Sequence, residues 1–148
     1  MTRYATPVLV AFAVLQLLQG IWMVVDPRSF YDQVAAFGPY NPHGLRDMAT
    51  MNLALGAVLL VAVAVPALRV GALAVAAAQF GLHTINHAVD VGLARTTAMG
   101  VFDLVSLAAI TAVLAWLVVV EYRRTPGADG ARRVRSAGVP GGIRGAAR

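Results

Sequence analysis

The chain has 148 residues, 59% of them apolar and 13% charged, with a formal charge of +5 and a mean hydropathy of +0.71. A soluble domain is nearer 45–50% apolar and about 25% charged, so the composition excludes an ordinary water-soluble globule and points to a lipid bilayer. There is no cysteine, which excludes a disulfide framework, thiolate ligands and a CxxC redox pair.

The first apolar run covers 7–25. Arg3 precedes it as in a signal peptide, but the run is long for such a segment. No small-x-small site follows before Trp22 and Asp26, so it is read as an uncleaved span. Gln16, Gln19, Met23 and Asp26 form a stripe along it. Asp26-Pro27 then reads as an N-cap followed by proline at the first helical position. That signal predicts a short interfacial helix over 28–37 with Phe30, Val34 and Phe37 on one side. Asn41-Pro42 repeats the signal and opens the second span, 43–65, with His43 in its first turn. Val65-Pro66 ends that span, because the residue before proline is pushed out of the α region.

The third and fourth spans cover 70–91 and 98–121, separated by Gly92 and the polar run Arg95-Thr96-Thr97. Each run approaches the ~20 residues that a helix needs to cross ~30 Å of hydrocarbon. Gly56, Gly71, Gly81 and Gly100 would allow helices to approach closely in lipid. The expected fold is all-α: a four-transmembrane-helix bundle over 1–122 with a short interfacial helix and a C-terminal tail over 123–148. That tail holds seven Arg against one Asp, while 1–122 holds five Arg against six acids. With no apolar period the tail is expected to be disordered and to meet anionic lipid headgroups; nucleic acid is the lesser reading of its charge. The arginine bias places both termini in the cytoplasm of a multi-pass inner-membrane protein. Beyond the bilayer, a homo-oligomer or a membrane-complex partner stays open.

With that topology the polar residues converge. His83, His87 and Asp90 lie at i, i+4 and i+7 of the third span and share one helix face, bordered by Gln79 and Asn86. His43 and Asp47 lie one turn apart at the outer end of the second span, with Arg46 beside them and Asn52 deeper. Asp103 stands about one turn into the fourth. All three histidines and four of the seven acids thus fall in one band at the outer side. Ionisable groups in a membrane cost several kcal/mol unless paired, solvated or near an interface, so a cluster of them implies mutual satisfaction or a bound ion.

The segments Asp26-Pro27-Arg28-Ser29-Phe30-Tyr31-Asp32, Gly38-Pro39-Tyr40-Asn41-Pro42-His43-Gly44-Leu45-Arg46-Asp47 and Asn52-Leu53-Ala54-Leu55-Gly56 resemble a family of small four-helix bacterial membrane proteins. That family carries PRSFYD-like and GPYNxHLxRD-like motifs and a later histidine-bearing helix. It has a glutamate where Pro42 stands here. In architecture the chain is also similar to the broader DoxX-like group, some members of which are linked to quinone-coupled redox chemistry. The resemblance implies the four-helix fold and no established activity.

Three readings of function stay open. In the first, His43, His83 and His87 supply nitrogen and Asp47 and Asp90 oxygen to a divalent transition metal (zinc, iron or copper) for redox chemistry or metal handling. Asn52, Asn86, Asp103, Gln19 and Arg46 would then support the ligands from behind. In the second, the cluster is a hydrogen-bond or proton network in an accessory subunit or small-solute carrier. The third is a haem- or quinone-binding redox protein. The sequence has no glycine-rich phosphate loop, GxSxG elbow or HExxH, so soluble-type nucleotide and serine-hydrolase chemistry has no support and no catalytic residue is assigned.

Overall fold

The computed structural model describes residues 5–124. They form five α-helices: α1 Ala5–Val25, α2 Pro27–Gln33, α3 Pro42–Ala64, α4 Arg69–Val89 and α5 Thr97–Tyr122. Short 3-10 turns at Pro66–Leu68 and Val91–Leu93 join α3 to α4 and α4 to α5. Four stretches, Thr6–Val25, Pro42–Ala64, Pro66–Val89 and Thr97–Tyr122, are long and apolar enough to cross a membrane. The all-α four-helix bundle expected from the sequence is the fold observed. The expected tail lies outside the described residues beyond Arg124.

The helix ends follow from local chemistry. The Asp26 carboxylate accepts from the Ser29 N–H at 3.0 Å, and the Asn41 side chain from the Gly44 N–H at 3.1 Å. Each satisfies one of the donors that a helix start leaves free, and proline occupies the first helical position after both caps. Thr96 caps α5 the same way through the Met99 N–H at 3.2 Å. At the end of α3, buried Arg69 reaches back. Its Nε donates to the Ala62 carbonyl and one terminal NH2 to the Val63 carbonyl, both at 3.0 Å. A cation on the last carbonyls of a helix also complements the helix dipole.

The long helices pack as two antiparallel pairs. In the first pair α1 lies against α3, with Gly20 facing Ala49 and Leu53, and Gly56 facing Ala13 and Leu17. In lipid, helices gain little hydrophobic drive from association, and small residues at the seam let dispersion contacts and close backbone approach replace it. Of the four glycines expected to do this, Gly56 does, while Gly100 packs against Val91 and Ala94 of the segment joining α4 to α5. Gly81 makes ordinary contact, Gly71 faces open space, and Gly20 performs the role unforeseen. In the second pair α4 lies against α5, where the Thr84 and Thr111 hydroxyls meet at 3.1 Å.

The two pairs join at the end of the bundle that holds the Pro66–Leu68 turn, here called the turn end. A core of Leu9, Ala13, Leu59, Leu73, Leu114 and Leu117 among others closes it, and Phe12 meets Phe80 edge-on at 6.0 Å. Above that core α3 and α4 part. An open groove of about 240 Å³, lined by Met51, Ala54, Leu55, Val58, Val75 and Gln79, runs between them.

At the other end, the loop end, a second cluster of Met23, Phe30, Leu45 and Ala49 ties α1, α2 and α3 together. Here α2 stops at Gln33 instead of running on to Phe37. The backbone of 36–38 is taken by the segment that joins α4 to α5: Arg95 N–H donates to Ala36 O at 3.0 Å and Gly38 N–H to Leu93 O at 3.3 Å. These flank an isolated antiparallel bridge between Phe37 and Ala94. Gly38 makes the necessary turn with φ +62°, a left-handed conformation that glycine adopts without penalty. A long-range pairing has overridden the local helical pattern.

Candidate functional site

The polar residues of the loop-end half fall into two separate groups. On α4, one turn apart, His83 and His87 place their rings 4.7 Å apart at 63°. Both are half-buried. Asp103, also half-buried, lies on the facing helix α5 close enough to His87 to interact with it electrostatically. His87 Nδ1 and Asp103 Oδ2 are fully buried without a hydrogen-bond partner among the described residues. Gln16 Nε2 shares that condition on a side chain 1% exposed.

The second group is exposed. His43 Nε2 sits 3.4 Å from Asp47 Oδ2, with the side chains 85% and 64% accessible. Arg46 beside them is also exposed, as are Asn86 and Asp90 on α4, while Asn52 and Gln19 are half-buried. Asp90 is the exposed residue at which α4 ends, its N–H donating to Asn86 O at 2.9 Å. Among the described residues no group of three or more His, Asp or Glu is disposed to hold a metal ion. The physical reason lies in the packing: α3 follows α1 at the loop end and meets α4 closely only near the turn end, so the convergence of His43 and Asp47 with the α4 histidines expected from the sequence does not occur. Asp103 moves from a supporting position to the centre of the site.

The surroundings of His83 and His87 were not legible in advance. The Phe37 ring covers His87 with a centroid distance of 4.5 Å at 69°. On the bundle side, Thr84 and Thr111 link α4 to α5, each hydroxyl also held by a carbonyl one turn back, Phe80 O at 2.7 Å and Leu107 O at 2.8 Å. Above Phe37, Arg95 donates to the Asp32 carbonyl at 2.9 Å and to its carboxylate at 3.1 Å. Arg28 holds the same carboxylate at 2.8 Å with its guanidinium over the Tyr31 and Tyr40 rings. The Arg28 hydrogen bond above all, together with that of Arg95, keeps the Asp32 carboxyl below the usual carboxylate range. The Tyr31 hydroxyl donates to Gly38 O and tethers the loop from within.

Chemically, a buried imidazole nitrogen and a buried carboxylate oxygen on facing helices, both without partners, are suited to exchanging a proton or to gripping a small polar group between them. Leaving such atoms unpaired costs about 1–3 kcal/mol each. Comparison with known proteins returns no match: no family model, no curated protein and no solved structure aligns with the chain.

Proposed function

We propose that this chain is a multi-pass protein of the bacterial inner membrane whose His83–His87–Asp103 site binds and releases a proton, in a carrier or accessory role. The observation that carries the reading is the pair of buried, unpartnered atoms on facing helices, His87 Nδ1 and Asp103 Oδ2. Polar and ionisable residues inside a membrane-spanning bundle are expensive to keep and typically line ion, proton or substrate paths. His83 meets His87 edge-on and extends the protonatable surface down α4 toward Thr84. The arginines at 123, 124 and beyond support a cytoplasmic C-terminus, which sets the loop end outside. Labelling of a cysteine at position 35 in intact cells tests that orientation.

Proton uptake tests the site. In nanodiscs, a pH-indicator dye counts the protons taken up per protein over a pH step. The His87→Gln, Asp103→Asn double variant should take up fewer than wild type, and uptake equal to wild type refutes the reading. Elemental analysis is run on the same preparation. Stoichiometric zinc, iron or copper in wild type, lost from a His83→Ala, His87→Ala variant, would overturn the proton reading in favour of a transition-metal centre.

A further inference from the structure

We propose that Phe37 is a gate over the His83–His87–Asp103 site, latched shut by the pairing of the 36–38 segment with the 93–95 segment. The proposal rests on the reading of that site as a polar centre that exchanges with the outside. Phe37 is the aromatic side chain that covers His87 from the loop end, its ring centroid 4.5 Å from the imidazole. Its backbone is pinned on both sides, by Arg95 N–H to Ala36 O and by Gly38 N–H to Leu93 O. Arg95 adds a side-chain clamp on Asp32, gripping carbonyl and carboxylate together.

Ala36 is buried, and three features make the pairing beyond it a releasable latch. First, the clamp is solvent-facing, with the Arg95 and Asp32 side chains 51% and 37% exposed. Ion pairs of that kind hold weakly and open readily. Second, the pairing is one isolated bridge, so no extended ladder has to break. Third, the turn is lightly held: Gly38 has φ +62°, nothing lies within 4 Å of the place a Cβ would occupy, and beyond the pairing itself the Tyr31 hydroxyl bond to Gly38 O is the tie that opening must break. Swinging 36–38 outward would uncover His87 and, behind it, His83, while the α1–α2–α3 cluster of Met23, Phe30, Leu45 and Ala49 stays packed.

The chain has no cysteine, so single cysteines report without background. His83→Cys is the reporter and Ala67→Cys, in the exposed turn at the far end, the control, both in nanodiscs with a membrane-impermeant thiol reagent. Position 83 should react much more slowly than position 67 in the otherwise unaltered protein. Arg95→Ala should raise the rate at 83 by about fivefold, the share an exposed clamp contributes to holding the latch closed. Phe37→Ala should bring that rate close to the control. Unchanged labelling at 83 in both variants overturns the gate, as does a rate at 83 matching position 67 before any gate residue is altered. Phe37→Trp, which keeps an aromatic cover, serves where Phe37→Ala fails to fold: slow labelling supports the gate, and labelling as fast as position 67 overturns it. The labelling rates are compared at one pH, because the thiolate is the reacting form, and they read access to position 83, not proton uptake by His87 and Asp103. A moving gate over a site that takes up no proton would thus refute the proposed function alone, and a proton-binding site without a gate would refute this inference alone.

Discussion

Replacing Gly56 by alanine adds one methyl group at the tightest point of the α1–α3 seam. The new Cβ would stand 2.7 Å from Leu17 Cγ, 2.9 Å from Leu17 Cδ2 and 3.1 Å from Ala13 O. Cγ is the branch point of the leucine, so a methyl rotation cannot clear it, and the nearby carbonyl is backbone. Relief requires α1 to slide outward along a seam that also holds buried Gln16. Overpacking of this kind costs about 1–3 kcal/mol, and alanine recovers up to about 1 kcal/mol of helix propensity over glycine. The expected net loss is therefore about 0–2 kcal/mol. Gly71→Ala is the matched control, because nothing lies within 4 Å of its Cβ position. There only propensity acts, so the substitution should be neutral or stabilising. The two variants, unfolded by SDS titration in mixed micelles and followed by far-ultraviolet circular dichroism, should differ by the overpacking cost alone, about 1–3 kcal/mol, because the propensity gain is common to both. Gly20→Ala should behave like Gly56→Ala, since its Cβ would meet Leu53 Cγ at 2.7 Å. Equal stabilities of Gly56→Ala and Gly71→Ala would refute the pairing of α1 with α3.

Arg69→Met keeps the apolar stem but strips the donors from the Ala62 and Val63 carbonyls. It should lower stability by about 1–3 kcal/mol in the same SDS titration, the cost of leaving buried polar groups unpaired. Gly38→Ala forces a Cβ into φ +62° and should cost about 1–2 kcal/mol through backbone strain alone, with no steric clash; unaltered stability would place the 36–38 turn in another conformation. The Asp32 carboxyl is held below its usual range, first by the Arg28 hydrogen bond. Its contribution is present above the unfolded-state value of about 4 and is lost as pH falls through the lower folded-state value. Thermal melts of wild type should therefore exceed those of Asp32→Asn at neutral pH and converge with them in strong acid; a gap that persists undiminished in strong acid would refute the ion-pair account.

Much of this molecule follows from the linear order of its residues. The bilayer-scale apolar runs, the Asp26-Pro27 and Asn41-Pro42 starts, and the stop at Val65-Pro66 are local features. Helix periodicity, capping and the rigidity of proline act within a few residues of one another, so they can be read before any tertiary contact is known. His83 and His87 were legible as neighbours for the same reason, because i, i+4 spacing on a helix brings side chains together whatever surrounds it. Which helices lie side by side is another matter. Chain connectivity favours α3 against α4, but the glycine seam of Gly20 and Gly56 commits α3 to α1, which leaves His43 and Asp47 exposed and parts them from the α4 histidines. Asp103 gained its place because α5, not α3, faces His87. Phe37 shows the limit most plainly: its spacing from Phe30 and Val34 fits an amphipathic helix, yet a bridge to Ala94, 57 positions along the chain, draws it out of that helix and over the imidazole. Local sequence determines which segments become helices and where they start and stop. The close fit of small residues in lipid, and pairing between distant loops, determine which side chains meet.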